Sequence, residues 1–247
     1  MPSVEAIHLK PAAELAERVL LPGDPHRALA VAQSLLEGPR MFNHHRGLWG
    51  YTGIAPDGEA LTVQATGMGG PSAAIVVEEL LSLGARTLVR IGTCGALEAT
   101  VEHGDLIVAT EAIAADGASR ALGAEHAVSP DERLTAALAV AARGRGRART
   151  AAVVSTDLFY DDRAGMTLEW RSRGAIAVEM EAATVLRVAQ RRGAAAACVL
   201  AVTDLLQPGD GEGRIRIDRA GLEEVGIRLG DVAVDALAML GTRGGPG

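Results

Sequence analysis

Arginines placed at the ends of apolar runs are the side chains in this sequence best suited to chemistry. Arg27 follows the strand-like run Arg18–Leu21 across the turn Gly23-Asp24-Pro25-His26, and Arg90 sits inside the apolar stretch Leu88-Val89-Arg90-Ile91. In open α/β sheets ligands gather where strands deliver their carboxyl ends. A turn that opens a helix there offers backbone N–H groups and the positive end of a dipole to an anion. An ordinary βα turn, with Asp24 as N-cap and Arg27 in solvent, explains the same residues. An arginine in a buried strand must be paired or must face a ligand, so Arg90 is either one half of a structural salt bridge or an anion contact. Thr93 and its flanking glycines add a hydroxyl and a close backbone approach at the same place. Two converging guanidinium groups would suit phosphate better than a carboxylate.

The carboxylates fall at other strand ends. Glu179 and Glu181 precede an alanine-rich helical run, where the macrodipole favours acids and where Glu181 could also accept from sugar hydroxyls. Asp204 directly follows Leu200-Ala201-Val202-Thr203, a position for an N-cap or a general acid. Phe159 and Tyr160 stand out because only 2% of the residues are aromatic; one ring could stack on a planar base, and plain core packing is the competing explanation. The loop Thr66-Gly67-Met68-Gly69-Gly70 is not GxGxxG, and tight packing explains it equally well.

The composition narrows the function classes. The 247 residues carry a formal charge of −7, which leaves no basic field for nucleic acid. Every cationic side chain but Lys10 is arginine, which removes a P-loop lysine. Cys94 and Cys198 are too few for a disulfide scaffold, and the histidines, with His44-His45 their tightest pair, lack metal-ligand spacing. No metal is expected, and His44, His45 and Cys94 read as structural. The N-terminus lacks a signal-peptide core and the longest apolar stretch, at 194–202, is short of a membrane span. A soluble cytoplasmic protein is the expectation.

Short β-branched runs alternating with longer alanine-leucine patterns mark an α/β fold with a largely parallel sheet. Strands are expected at Arg18–Leu21, 48–54, 61–66, 87–91, 106–110, 151–155, 175–178 and 195–203, and helices at 25–36, 73–83, 131–142, 182–191 and 222–240. Pro56-Asp57-Gly58 reads as a hairpin turn. The stretch 115–130 reads as surface loop, and 1–240 as one domain followed by a disordered tail at 241–247.

Taken together, the segments resemble the nucleoside phosphorylase family that contains the hexameric purine nucleoside phosphorylases and the uridine phosphorylases. LLPGDPHRA from Leu20, HRGLWGYTG from His45, TGMGGPSAAIVVEEL from Thr66, VRIGTCGAL from Val89, STDLFY from Ser155, AVEMEAATV from Ala177 and AVTD from Ala201 occur in the family's order. The resemblance implies a three-layer α/β/α domain with a mixed, partly barrel-like sheet. It implies phosphorolysis of a nucleoside to free base and (deoxy)ribose 1-phosphate, with inorganic phosphate as co-substrate and no cofactor. Gly23, Arg27, Arg90 and Thr93 match the phosphate site, with Arg46 supplied by a neighbouring subunit. Met68, Met180 and Glu181 match the sugar site, completed by a neighbour's His8. Phe159, Val178, Glu179 and Asp204 match the base site. A site shared across a two-fold interface implies a homodimer at least, and the family's usual assembly is a hexamer built as a trimer of dimers.

Purine is the favoured base, because Phe159-Tyr160 is followed by Asp161-Asp162-Arg163-Ala164-Gly165 and not by the glutamine and arginine with which uridine enzymes read uracil. The TGMGGPS loop and Asp116-Gly117-Ala118-Ser119 lean towards the uridine branch. The resemblance also implies an arginine that assists Asp204; Arg214, Arg216 and Arg219 are candidates, with Arg219 preferred. A nucleoside hydrolase on the same fold would not need the phosphate arginines, and a silent nucleoside-binding protein could discard Asp204. Arg90→Ala is expected at this level to abolish phosphate dependence and to leave the fold largely intact.

Overall fold

A computed structural model describes residues 5–206 and 214–241, the side chains of Arg214 and Arg219 excepted. The chain starts with β1 (Arg18–Leu21), a helix α1 (Pro25–Leu35) and three strands, β2 (Glu37–Asn43), β3 (Gly50–Ile54) and β4 (Ala60–Gln64). Asp24 caps α1 by accepting from Arg27 N at 2.9 Å, and Pro25 opens the helix, as the bland reading of that turn expected. The 55–59 turn joins β3 to β4 as an antiparallel hairpin, while β1 lies parallel to β4 and to β5 (Thr87–Ala96). Between them runs α2 (Gly70–Leu83), which ends on the left-handed Gly84.

Strand β5 enters a closed ring. It pairs with β9 (Ala175–Glu179), which follows β8 (Ala148–Ser155), then β6 (Leu106–Ala114), then β10 (Ala195–Leu206), and β10 pairs back with β5. Parallel and antiparallel ladders mix around this ring, so the sheet is mixed and barrel-like at one end and open at the other. Helices α2 and α6 (Ala182–Arg192) cover one face, packing Val76, Leu80, Val185 and Leu186 with Leu88 and Leu200. Helices α1, α4 (Glu132–Gly144) and α7 (Arg219–Gly241) cover the other, packing Val31, Leu138 and Leu229 with Val89, Ile91 and Val199. Because strand side chains alternate, Leu88 faces the α2/α6 layer, Val89 and Ile91 the opposite one, and Arg90 must emerge between them on the Leu88 side.

The strands run further than their apolar residues suggest. β5 does not stop at Gly92 but continues through Thr93 and Gly95 to Ala96, paired with β10 throughout. Bare glycine makes that possible: a Cβ on Gly92 would lie 2.7 Å from Arg90 Nη2 and 2.8 Å from Leu200 Cδ2. β10 likewise runs on past Thr203, with a register shift between Val202 and Asp204 and a short antiparallel partner β11 (Arg214–Arg216). The expected surface loop at 115–130 contains α3 (Gly117–Ala121), capped by Asp116, and β7 (Ala127–Val128) on β6. Helix α5 (Met166–Ser172) follows the Phe159 loop and buries Trp170. Gly241, expected in the tail, closes α7 instead; 242–247 lie outside the described residues.

Candidate active site

Four chain segments meet beside Arg90. Thr66 N donates to Pro22 O, and a Cβ on Gly23 would lie 3.4 Å from Gly67 O, so the turn after β1 and the loop before α2 are in close register. That loop in turn donates Gly69 N to Glu181 Oε1 at 2.5 Å. Glu181 Oε2 pairs with Arg90 Nη2, and Arg90 Nε donates to Glu179 Oε2 at 2.8 Å. Arg90, Glu179 and Glu181 are 3%, 4% and 5% exposed.

The charge balance of this cluster decides what it can hold. Burial works against the Arg90 charge, but Glu181 and Glu179 more than offset that and hold its pKa above the usual arginine value. Burial pushes Glu181 above the ordinary carboxyl range; Arg90 draws it back and the neighbouring Glu179 adds to the push. Arg27, half-buried with its stem against Gly226 of α7, is lowered by desolvation. The charges acting on it are Asp24, Arg90, Glu181 and Arg216, which brings the two expected phosphate arginines and Glu181 into one neighbourhood. Two donors there are unspent. Arg90 Nη1 is buried without a hydrogen-bond partner, and the Arg27 guanidinium makes no ion pair among the described residues. A buried orphan donor on a charged group is costly unless a ligand takes it. Arg27→Ala should therefore raise the phosphate KM about tenfold to a hundredfold, the worth of a charge-assisted hydrogen bond, with the melting temperature nearly unchanged in a thermal melt.

Asp204 stands on β10, 5% exposed, directly opposite Arg216 of β11. Its Oδ2 accepts from Thr203 Oγ1 at 2.8 Å, while Oδ1 is buried with no hydrogen bond and lies 3.9 Å from Arg216 Nε. Of the three arginines weighed for this place, Arg216 is the one whose described side chain faces Asp204; the Arg214 and Arg219 side chains lie outside the description. The register shift at Thr203 explains the aim, since a bulge turns the following residue out of strict alternation. Thr93 sits across the ladder from Ala201, half-buried.

The remaining expected residues divide. Val178 is half-buried on β9, and Gly95 meets its Cγ1 at 3.3 Å from an added Cβ. Met180 is half-buried, Met68 is 86% exposed, and Phe159 is edge-on to Tyr160 with centroids 5.0 Å apart. Glu179 spends both carboxylate oxygens on partners inside the chain. Two crevices of about 160 and 150 Å³ lie elsewhere; neither is lined by Arg27, Arg90 or Glu181.

His8 and Arg46, expected to serve a neighbour, share one patch. His45 Nδ1 is 2.9 Å from His8 O, and Lys10 N donates to Asn43 Oδ1, which ties the N-terminal segment to the Arg46 turn. Arg46 is exposed and has φ +58°, the one non-glycine residue of positive φ among those described. His8 is fixed by a residue the sequence reading passed over. Glu79 of α2, 2% exposed, accepts from the amides of Ile7, His8 and Leu9 and lies 2.6 Å from His8 Nδ1. The signal was there: Glu79 follows Val76 by three positions and precedes Leu80, inside the apolar stripe of α2. Burial raises the Glu79 pKa, but the Leu9 amide, His8 and the other amides outweigh it and hold it below the ordinary value. A depressed carboxyl stabilises the fold above its unfolded pKa of about 4.3 and loses that stabilisation as pH falls through its folded value. The urea midpoint of the wild type should exceed that of Glu79→Gln near neutral pH, and the gap should shrink as pH drops below about 4.

The chain is similar to known proteins over most of its length. The family model described as phosphorylase superfamily matches residues 17–238. A DeoD-type purine nucleoside phosphorylase of Geobacillus kaustophilus is 39% identical over 201 residues, 80% of this chain and 84% of that protein. A DeoD-type purine nucleoside phosphorylase of Jannaschia sp. is 41% identical over 197 residues, 78% of this chain and 84% of its own length. Another, of Roseobacter denitrificans, is 38% identical over 201 residues, 80% of this chain and 86% of that protein.

Proposed function

Because the chain belongs to the phosphorylase superfamily, we propose that it catalyses phosphorolysis of purine (deoxy)nucleosides to free base and (deoxy)ribose 1-phosphate. The observation that carries this reading is the pair of unspent cationic donors, Arg90 Nη1 and the Arg27 guanidinium, in one neighbourhood with Glu181. A phosphate dianion taken up there gains charge-assisted hydrogen bonds, with Gly23 allowing close backbone approach and Thr93 offering a hydroxyl. Arg46 of a neighbouring subunit would complete that shell, and a neighbour's His8 the sugar site; both sit on one patch, which suits an active site shared across a two-fold interface and a hexamer built from such dimers. Met68, Met180 and Glu181 take the sugar side, and Phe159 and Val178 the base side. No cofactor is invoked, and among the described residues no cluster of potential metal ligands occurs. No helix of the described residues is long and apolar enough to cross a membrane.

The reaction breaks the bond between the base nitrogen and the anomeric carbon. Positive charge builds on the sugar and negative charge on the base, and a preorganised site must meet both. The dianion below the sugar stabilises the oxocarbenium ion and then attacks it, forming the C–O bond of the sugar phosphate. Asp204 is the general acid of this reading, its unpartnered Oδ1 turned to the imidazole-ring nitrogen of the leaving purine. The carboxylate left behind then faces the Arg216 cation across the ladder. Base release from inosine, adenosine, guanosine and uridine, each assayed with and without phosphate, tests the reading. Purine release that requires phosphate supports it; release without phosphate makes the protein a hydrolase, and turnover of uridine alone overturns the purine assignment.

A further inference from the structure

The geometry points to Glu179 as a positioning residue for the phosphate site, one that fixes the Arg90 guanidinium so that its Nη1 is held out for the anion, and not as a reader of the base. This deepens the proposed function and rests on it for the role of Arg90.

Glu179 is the last residue of β9 and its carboxylate is enclosed by the chain. Oε2 accepts from Arg90 Nε at 2.8 Å and from the amides of Glu181 and Ala182, each at 2.9 Å. Oε1 accepts from Ala182 N at 2.9 Å and from the hydroxyl of Ser155, which stands opposite Glu179 in the β8–β9 register. Ser155 Oγ in turn accepts from Ala183 N at 2.9 Å. The side chain thus caps the start of α6, where the dipole favours an anion, while its outer edge grips Arg90. No lone pair remains to accept from an exocyclic amine or a ring N–H of a base.

What this grip does to Arg90 follows from guanidinium geometry. Nε is bound by Glu179 and Nη2 by Glu181, so the planar group cannot rotate about its stem, and bare Gly92 leaves it room to lie flat along β5. Nη1 is the nitrogen left over, buried and without a partner. Glu181 is expected to engage the sugar as well, so the contact that stays constant through turnover is Glu179 on Nε. Misplacing a charged contact by about an ångström costs on the order of a hundredfold, so loosening Glu179 should be felt at the anion although Glu179 touches no substrate.

The test is Glu179→Gln, with Ser155→Ala, which removes only the hydroxyl that holds Glu179 from behind, as a second variant. Steady-state kinetics with inosine gives both Michaelis constants, and the rise in melting temperature on adding inorganic phosphate gives anion binding without turnover. The expected result is a phosphate KM raised tenfold or more in Glu179→Gln, less in Ser155→Ala, with the nucleoside KM and the inosine-to-adenosine preference within twofold of wild type, and with the phosphate-induced thermal shift reduced in both. A nucleoside KM or base preference that moves while the phosphate KM and thermal shift stay put overturns the proposal and returns Glu179 to the base site. Unchanged phosphate KM and thermal shift accompanied only by a lower melting temperature also overturns it, leaving a helix cap. If Glu179→Gln does not fold, Ser155→Ala decides by the same readings. Failure of the functional reading shows separately, as wild-type base release that does not depend on phosphate.

Discussion

Asp204→Ala is expected to lower kcat for purine phosphorolysis about a hundredfold to a thousandfold, the usual cost of removing one preorganised group that meets charge in the transition state. The physical argument is local. Asp204 is 5% exposed, one oxygen is tied to Thr203 Oγ1, and the other is buried with a cation 3.9 Å away and no hydrogen bond made. Oδ1 is thus the oxygen left open to a leaving base. The phosphate KM should stay near its wild-type value, because the proposed anion contacts are Arg27 of α1 and Arg90 of β5, not Asp204. Nucleosides whose base already carries positive charge and departs neutral, such as those of 7-methylated purines, need no proton at that nitrogen and should lose far less rate in the variant. Equal losses for easy and difficult leaving groups would remove Asp204 from the role of acid.

Arg90→Ala is expected to do two things at once. It should abolish measurable phosphate saturation, and it should destabilise the protein by about 3–5 kcal/mol, the cost of stranding buried charge when one partner of an ion pair is removed. The sequence alone suggested a largely intact fold. The structure corrects this: Arg90 neutralises both Glu179 and Glu181 inside the layer under α2 and α6. A urea titration of the variant beside its kinetics separates the effects. In Arg90→Lys a charge remains but the fork does not, so stability should recover in part while phosphate affinity stays low.

Much of the candidate site could be read from residue type and strand position, because strand ends and helix starts are written in apolar runs, Pro, Gly and Asp. The turn Gly23-Asp24-Pro25 did form a capped helix start, with Arg27 beside the Arg90 cluster. What sequence could not show is where a strand continues after its apolar run ends. Gly92, Thr93 and Gly95 looked like closure and are ladder, since the pairing of β5 with β10 supplies the order that propensity does not. Nor could spacing separate the two glutamates: both lie at the start of α6, and only the register that brings Ser155 opposite Glu179 shows which one is consumed by the chain. Arg216 was one of three arginines in a stretch without periodicity, and the β10–β11 ladder sets it opposite Asp204. Glu79 escaped notice because its partners include backbone amides some seventy residues away in the chain.

Under the proposed function, Arg27 and Arg90 gather one phosphate dianion beside a purine nucleoside's sugar. Following inosine and inorganic phosphate by phosphorus NMR tests it most directly. The expected result is loss of the phosphate signal and growth of a sugar-phosphate ester in one-to-one proportion with hypoxanthine released, and neither change in Arg27→Ala/Arg90→Lys at the same phosphate concentration. Hypoxanthine released at an undiminished rate with the phosphate signal unchanged would contradict it.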